Sequence, residues 1–116
     1  MVTRDCHVSD AEAIAPLSRC LRRALGLTFG DSQTALHGGV LSVRLTHALT
    51  PMARLIAHKE AGAEIVEGAY EALLADCCAQ ISRLASQVAG LPVRRIRIAV
   101  DAPAEAVIIE FVLHCD

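Results

Sequence analysis

The chain has 116 residues, 53% hydrophobic and 21% charged, with 11 basic against 13 acidic side chains and a formal net charge of −2. That balance argues against a phosphate-backbone binder, and 3% aromatics without Trp leaves little for base stacking. A mean hydropathy of +0.43 is high for so small a domain and points to apolar surface covered by a partner, an identical subunit being the simplest.

The length suits a single domain over 1–116, large enough to bury a core without metal or disulfide staples. The first residues, Met-Val-Thr-Arg-Asp-Cys-His, are polar and contain no signal-peptide core. No stretch approaches the ~18 apolar residues of a membrane span; Glu110 interrupts the strongest run, Ala106 to Leu113. Five cysteines, an odd number, fit reduced thiols, and a cytoplasmic location is expected.

Residues 1–8 read as a loose leader. Ser9 and Glu12 form a capping box ahead of a helical stripe of Ile14, Leu17, Leu21 and Leu25, so a first helix is expected over about 10–25. Pro16 either starts its regular part or kinks it. Gly26 is a natural stop. Gly30-Asp31-Ser32 reads as a turn, and Gln33 to His37 as a short strand. Gly38-Gly39 is a hairpin turn into Val40 to Thr46, where Leu41, Val43 and Leu45 alternate with Ser42, Arg44 and Thr46. Thr50-Pro51 is a capping hydroxyl followed by proline at the first helical position. A break at Ala61-Gly62 divides the helical region into a short helix over 51–60 and a long one over 62–89. The long helix carries a stripe of Val66, Leu73, Cys77, Ile81, Leu84 and Val88. At ~1.5 Å per residue it measures about 42 Å, against a radius of gyration of ~13 Å for such a chain, so it overhangs its own sheet and asks for a dimer partner. Gly90-Leu91-Pro92 ends it. Ile96, Ile98 and Val100 alternate with Arg95, Arg97 and Ala99; after a turn over 101–105, Val107, Ile109, Phe111 and Leu113 line the last strand. The expected fold is α+β in the order α-β-β-α-α-β-β, a four-stranded, mostly antiparallel sheet with helices packed on one face.

Chemistry is harder to place. Thiolate and imidazole ligate zinc and softer metals, which makes Cys77, Cys78, His114 and Cys115 the metal candidates, without any C-x-x-C or H-x-x-x-H spacing. Adjacent cysteines on a helix diverge by about 100°, and Cys77, on the apolar stripe, reads most simply as a small core residue. His37, His47 and His58 match no zinc motif and read as surface residues at separate places. Ser42, Ser82 and Ser86 sit in no nucleophile elbow, and Glu64, Glu67 and Glu71 read as a solvated helix face. No phosphate-binding or dinucleotide motif is present, and no cofactor is expected. Arginine clusters at Arg19, Arg22, Arg23 and at Arg94, Arg95, Arg97 read as solvated faces or as an anion patch. Arg44, Arg95 and Arg97 are the anion candidates.

One ordered set of pieces covers residues 17–113. It comprises a helix, a glycine-containing turn, Val40-Leu41-Ser42-Val43-Arg44-Leu45, Leu49-Thr50-Pro51, Gly62 with Ile65-Val66, a helix ending Val88-Ala89-Gly90, and a closing hairpin ending Glu110-Phe111-Val112-Leu113. It resembles the MpsC-like family, the small non-membrane component of a sodium-translocating, membrane-potential-generating system. Met52-Ala53 stands where that family commonly has Glu. The resemblance implies membrane partners connected with inorganic-carbon uptake and ion movement, and supplies no catalytic residues. The expected role is therefore a non-catalytic accessory or regulatory domain, homodimeric, acting with a membrane inorganic-carbon or cation transport system and peripheral to the membrane through that partner. The alternatives are a small-ligand or anion sensor and a thiol- or metal-dependent enzyme.

Overall fold

The computed structural model describes residues 6–7, 11–27 and 31–114. Along the chain these form β1 (Cys6–His7), α1 (Ala11–Leu25), β2 (Ser32–His37), β3 (Val40–Leu45), α2 (Pro51–Ala57), α3 (Gly62–Ala75), α4 (Cys78–Ala89), β4 (Val93–Asp101) and β5 (Ala106–Leu113). The sheet is antiparallel throughout, in the order β1-β2-β3-β5-β4. The α+β class, the element order and the helix-covered sheet are as the patterning implies. The expected four strands gain a two-residue edge, because Cys6 and His7 pair with Leu36 and Ala35 rather than lying in a loose leader. Ser9 and its capping role lie outside the described residues.

Period two decides the two faces of the sheet. Leu41, Val43, Leu45, Val107, Ile109 and Phe111 are fully buried beneath the helices, while Arg95, Arg97 and Ala99 on the other face are exposed. The inner face meets Leu17, Leu21 and Leu25 of α1, Val66, Tyr70 and Leu74 of α3, and Ile81 and Ala85 of α4. Each fully buried aliphatic or aromatic side chain is worth about 1.5–3 kcal/mol of transfer free energy, so this layer holds the domain together.

Local chemistry sets the joints. Gly26, at φ 72°, ends α1, with the Leu27 amide donating to the Arg22 carbonyl at 2.8 Å. Gly38 and Gly39 both have positive φ, 57° and 78°, the geometry of the tight hairpin turn between β2 and β3. The Thr50 hydroxyl accepts from the Ala53 amide at 3.2 Å, capping α2. That helix stops at Ala57, short of the expected residue 60, with His58 as its C-cap. Ala61 adopts φ 58°, and Gly62 follows where a Cβ would lie 1.6 Å from the Ile56 carbonyl oxygen. Only glycine lets the start of α3 pass that close to the end of α2.

The expected long helix over 62–89 is two helices. The chain leaves helical geometry at Cys77, φ −126° and ψ 26°, where its amide closes a tighter turn on the Leu74 carbonyl at 3.1 Å. Asp76, Cys77 and Cys78 are weak helix formers. Bending there lets Val66, Tyr70 and Leu74 face the sheet on one helix while Ile81 and Ala85 do so on the next. Leu73, expected on the stripe, is 44% exposed. At ~1.5 Å per residue α3 and α4 span roughly 21 and 18 Å. They fit a domain with a radius of gyration of 13.8 Å. The overhang, and the argument for a dimer drawn from it, fall away.

Candidate functional site

Two of the three anion candidates are engaged in ion pairs. Arg44, Arg95 and Arg97 lie on the uncovered face of the sheet. Arg44 Nη2 meets Asp101 Oδ2 at 3.4 Å, and Arg97 Nη2 meets Glu110 Oε1 at 3.3 Å from the directly opposed position on β5. Partly exposed pairs of this kind contribute about 0–1 kcal/mol each. Their effect is to occupy the guanidinium groups.

Of the metal candidates, Cys77 and Cys78 differ in exposure. Cys77 is half-buried beside Cys20 of α1. Burial first, then the neighbouring Cys20, Asp76 and Cys78, push its thiol pKa above the ordinary value. The thiolate, which is both nucleophile and ligand, is thereby disfavoured near neutral pH. Cys78 points elsewhere, exposed, with Sγ 3.9 Å from Ser82 Oγ. The His114 amide donates to the Pro92 carbonyl at 2.9 Å, and Cys115 lies outside the described residues. Among the described residues no three His, Cys, Asp or Glu side chains are placed to hold a metal ion. His37 flanks the Gly38-Gly39 turn, His58 caps α2, and His47 takes part in a corner cavity.

That cavity, about 270 Å³, is lined by Gly26, Leu27, His47, Leu49, Thr50, Pro51, Arg54 and Glu105. It is built around the Leu-Thr-Pro turn. Two of its residues, His47 and Glu105, hold left-handed backbone at φ 51° and 52°, a strain that neighbouring structure must hold in place. The Ala48 amide donates to the Glu105 carbonyl at 3.0 Å, and the buried Tyr70 hydroxyl donates to the Ala48 carbonyl at 3.0 Å. Arg54 Nε meets Glu105 Oε1 at 2.9 Å. Thr50 is committed to its cap and the ion pair balances its own charge, so the corner is a braced joint with little free polarity.

A second concavity, about 250 Å³, runs beside β4 and is lined by Glu71, Leu74, Ala75, Cys78, Ser82, the stretch 93–96 and Ile98. Nearby, Glu67 Oε2 accepts from the Val100 amide at 2.8 Å. Glu67 therefore does not belong to a solvated acidic face; it covers part of the outer edge of β4. Its sequence signal is weak, since a half-buried glutamate among exposed ones shows no distinct period.

Among the described residues, four of the five exposed large hydrophobic side chains lie on α2 and α3 and the fifth is Leu91. Met52 is 67% exposed, Leu55 66%, Ile65 61% and Leu73 44%. None of these helices is long and apolar enough to cross a membrane. Compared with protein-family models, curated proteins and solved structures, the chain matches none.

Proposed function

We propose that this chain is a non-catalytic accessory or regulatory domain that works by docking, through the α2–α3 face, onto a larger partner. The observation that carries the reading is the concentration of exposed Met52, Leu55, Ile65 and Leu73 on two helices that pack together. Each helix already buries its other side, through Ala53, Ala57, Val66, Tyr70 and Leu74, so the outward residues serve no core of their own. The resemblance to the MpsC-like family supplies the partner class, a membrane inorganic-carbon or cation transport system. It would place the domain at the membrane through that partner. A second copy is the other candidate for the same face, in keeping with the high mean hydropathy.

A photo-crosslinking side chain at Leu55 tests this. In cells it is expected to give a discrete adduct with a membrane protein, where the same group at Gln87 on α4 gives none. The double variant Leu55→Asp, Ile65→Asp should remain folded within about 1 kcal/mol, since both side chains are exposed. It should lose copurification with membranes at least tenfold. No adduct at Leu55, or equal adducts at both positions, sinks the reading. An adduct only with a second copy assigns the face to a homodimer.

A further inference from the structure

Among the described residues, no strand pairs with the outer edge of β4. β4 ends the sheet, and an end strand presents backbone groups that its single neighbour cannot satisfy. The Val100 amide points away from β5, because it donates to Glu67. The two-residue period puts the amides of Ile98 and Ile96 on that same edge. Glu67 closes the edge at Val100. Beyond it, beside Ile96 and Ile98, runs the groove walled by Leu74, Ala75 and Cys78.

We propose that this part of β4 is a strand-addition site for an extended peptide segment that alternates acidic with aliphatic residues. The inference rests on the docking reading but uses a different surface. A sixth strand would take its backbone bonds from Ile96 and Ile98 and send alternate side chains to opposite faces. On the helix side they enter the groove; at about 250 Å³ it is smaller than the ~300–1,000 Å³ common for small-molecule pockets, and its Leu74, Ala75, Ile96 and Ile98 walls suit aliphatic side chains. On the other side they meet exposed Arg95 and Arg97, with Glu110 the acid already paired there. On the groove side Glu71, with Glu67 on the edge at Val100, disfavours acids beside Ile96 and Ile98, while Arg94 and Arg95 also line the groove; the alternation is therefore set beside Ile96 and Ile98. A second copy suits the edge less well. Two copies paired antiparallel about Ile96 would set Arg95 against Arg97 of the other strand, like charges directly opposed.

The test uses the whole protein and two labelled eight-residue peptides, one alternating Glu with Val and one alternating Lys with Val. Fluorescence anisotropy should show the Glu peptide binding at least tenfold more tightly than the Lys peptide. Amide exchange at Ile96 and Ile98 should slow on binding. Arg95→Glu should weaken the Glu peptide fivefold or more. Ile98→Pro, which removes an edge donor without touching the β5 ladder, should abolish binding; should it unfold the chain, Arg95→Glu remains decisive. Equal affinity for both peptides overturns the proposal, as does binding without protection at Ile96 and Ile98. Protection of those amides with a doubled mass in the absence of peptide also overturns it, in favour of a second copy. If neither peptide binds while Leu55 still crosslinks, the edge site fails and the accessory reading stands.

Discussion

The domain contains two helix-then-hairpin halves, and their outer strands are treated differently. β2 is covered by chain. β1 pairs along its far end, Ser18 of α1 meets Ser32 hydroxyl to hydroxyl at 3.1 Å, and Arg22 Nη2 donates to the Asp31 carbonyl at 2.6 Å. β4 receives one carboxylate, Glu67, at Val100. Their turns differ as well: Gly38-Gly39 closes the first hairpin tightly, whereas the second runs from Asp101 to Glu105, which is in left-handed geometry. The same supersecondary plan thus yields one finished edge and one partly finished edge. A carboxylate can let go of a strand without unfolding anything, which a paired strand cannot do.

The sharpest way to break the comparison is to remove what both halves share. Phe111 is fully buried on β5, opposed by Leu41 on β3 and by Ile96 on β4. Phe111→Ala is expected to cost about 3–5 kcal/mol in urea denaturation, with both hairpins melting in one transition. Separate transitions would show that the halves are more independent than their common core implies.

A smaller effect isolates β4. Glu67→Gln weakens a charge-assisted bond worth about 1.5–3 kcal/mol, part of which the amide oxygen retains. Hydrogen exchange at Val100 should quicken, while Leu36 and Ala35 in β2 stay as protected as before. Equal acceleration in both strands would mean that Glu67 supports the fold as a whole and is no edge cover.

The smallest effect concerns the braced corner. Tyr70→Phe deletes the bond to Ala48 and is expected to cost about 1 kcal/mol. Burial raises the Tyr70 pKa above 10.0, outweighing the opposing hydrogen bond from the Thr50 backbone. In the unfolded chain the phenol ionises near its ordinary value while the folded chain holds the proton. Its contribution is therefore complete below pH 10 and declines as pH rises toward the higher folded value. The wild type should lose more stability than Tyr70→Phe across that alkaline range in thermal melts; parallel losses would remove Tyr70 from the account.

The strands and joints are legible in the sequence because each rests on a local rule. Alternation marks Leu41, Val43 and Leu45, the Thr50-Pro51 pair marks the start of α2, and Gly62 marks the break where a Cβ has no room. The division at Asp76-Cys77 is not legible, since an apolar stripe running from Val66 to Val88 has the same period whether or not the axis bends. Cys6–His7 is too short to carry any period. The side-chain partnerships are less legible for a related reason. Nothing local ties Arg44 and Arg97 to their partners Asp101 and Glu110, which the sheet register brings together. Glu67 looks no different from Glu64 and Glu71, because its partner is a backbone amide 33 residues away.

The interior position of β5 has a consequence for how the domain is made. Residues 40–45 pair with residues 107–112, and every element from α2 to β4 lies between them in the chain. Closing so long a loop is slow compared with forming a hairpin or a helix. Until residues 106–113 have been synthesised, β3 has no neighbour on that side and the apolar undersides of α1, α3 and α4 have no finished sheet to cover. The nascent domain therefore waits in an incomplete state that exposes both greasy helix faces and an unpaired strand, the species most in need of a chaperone or a waiting partner.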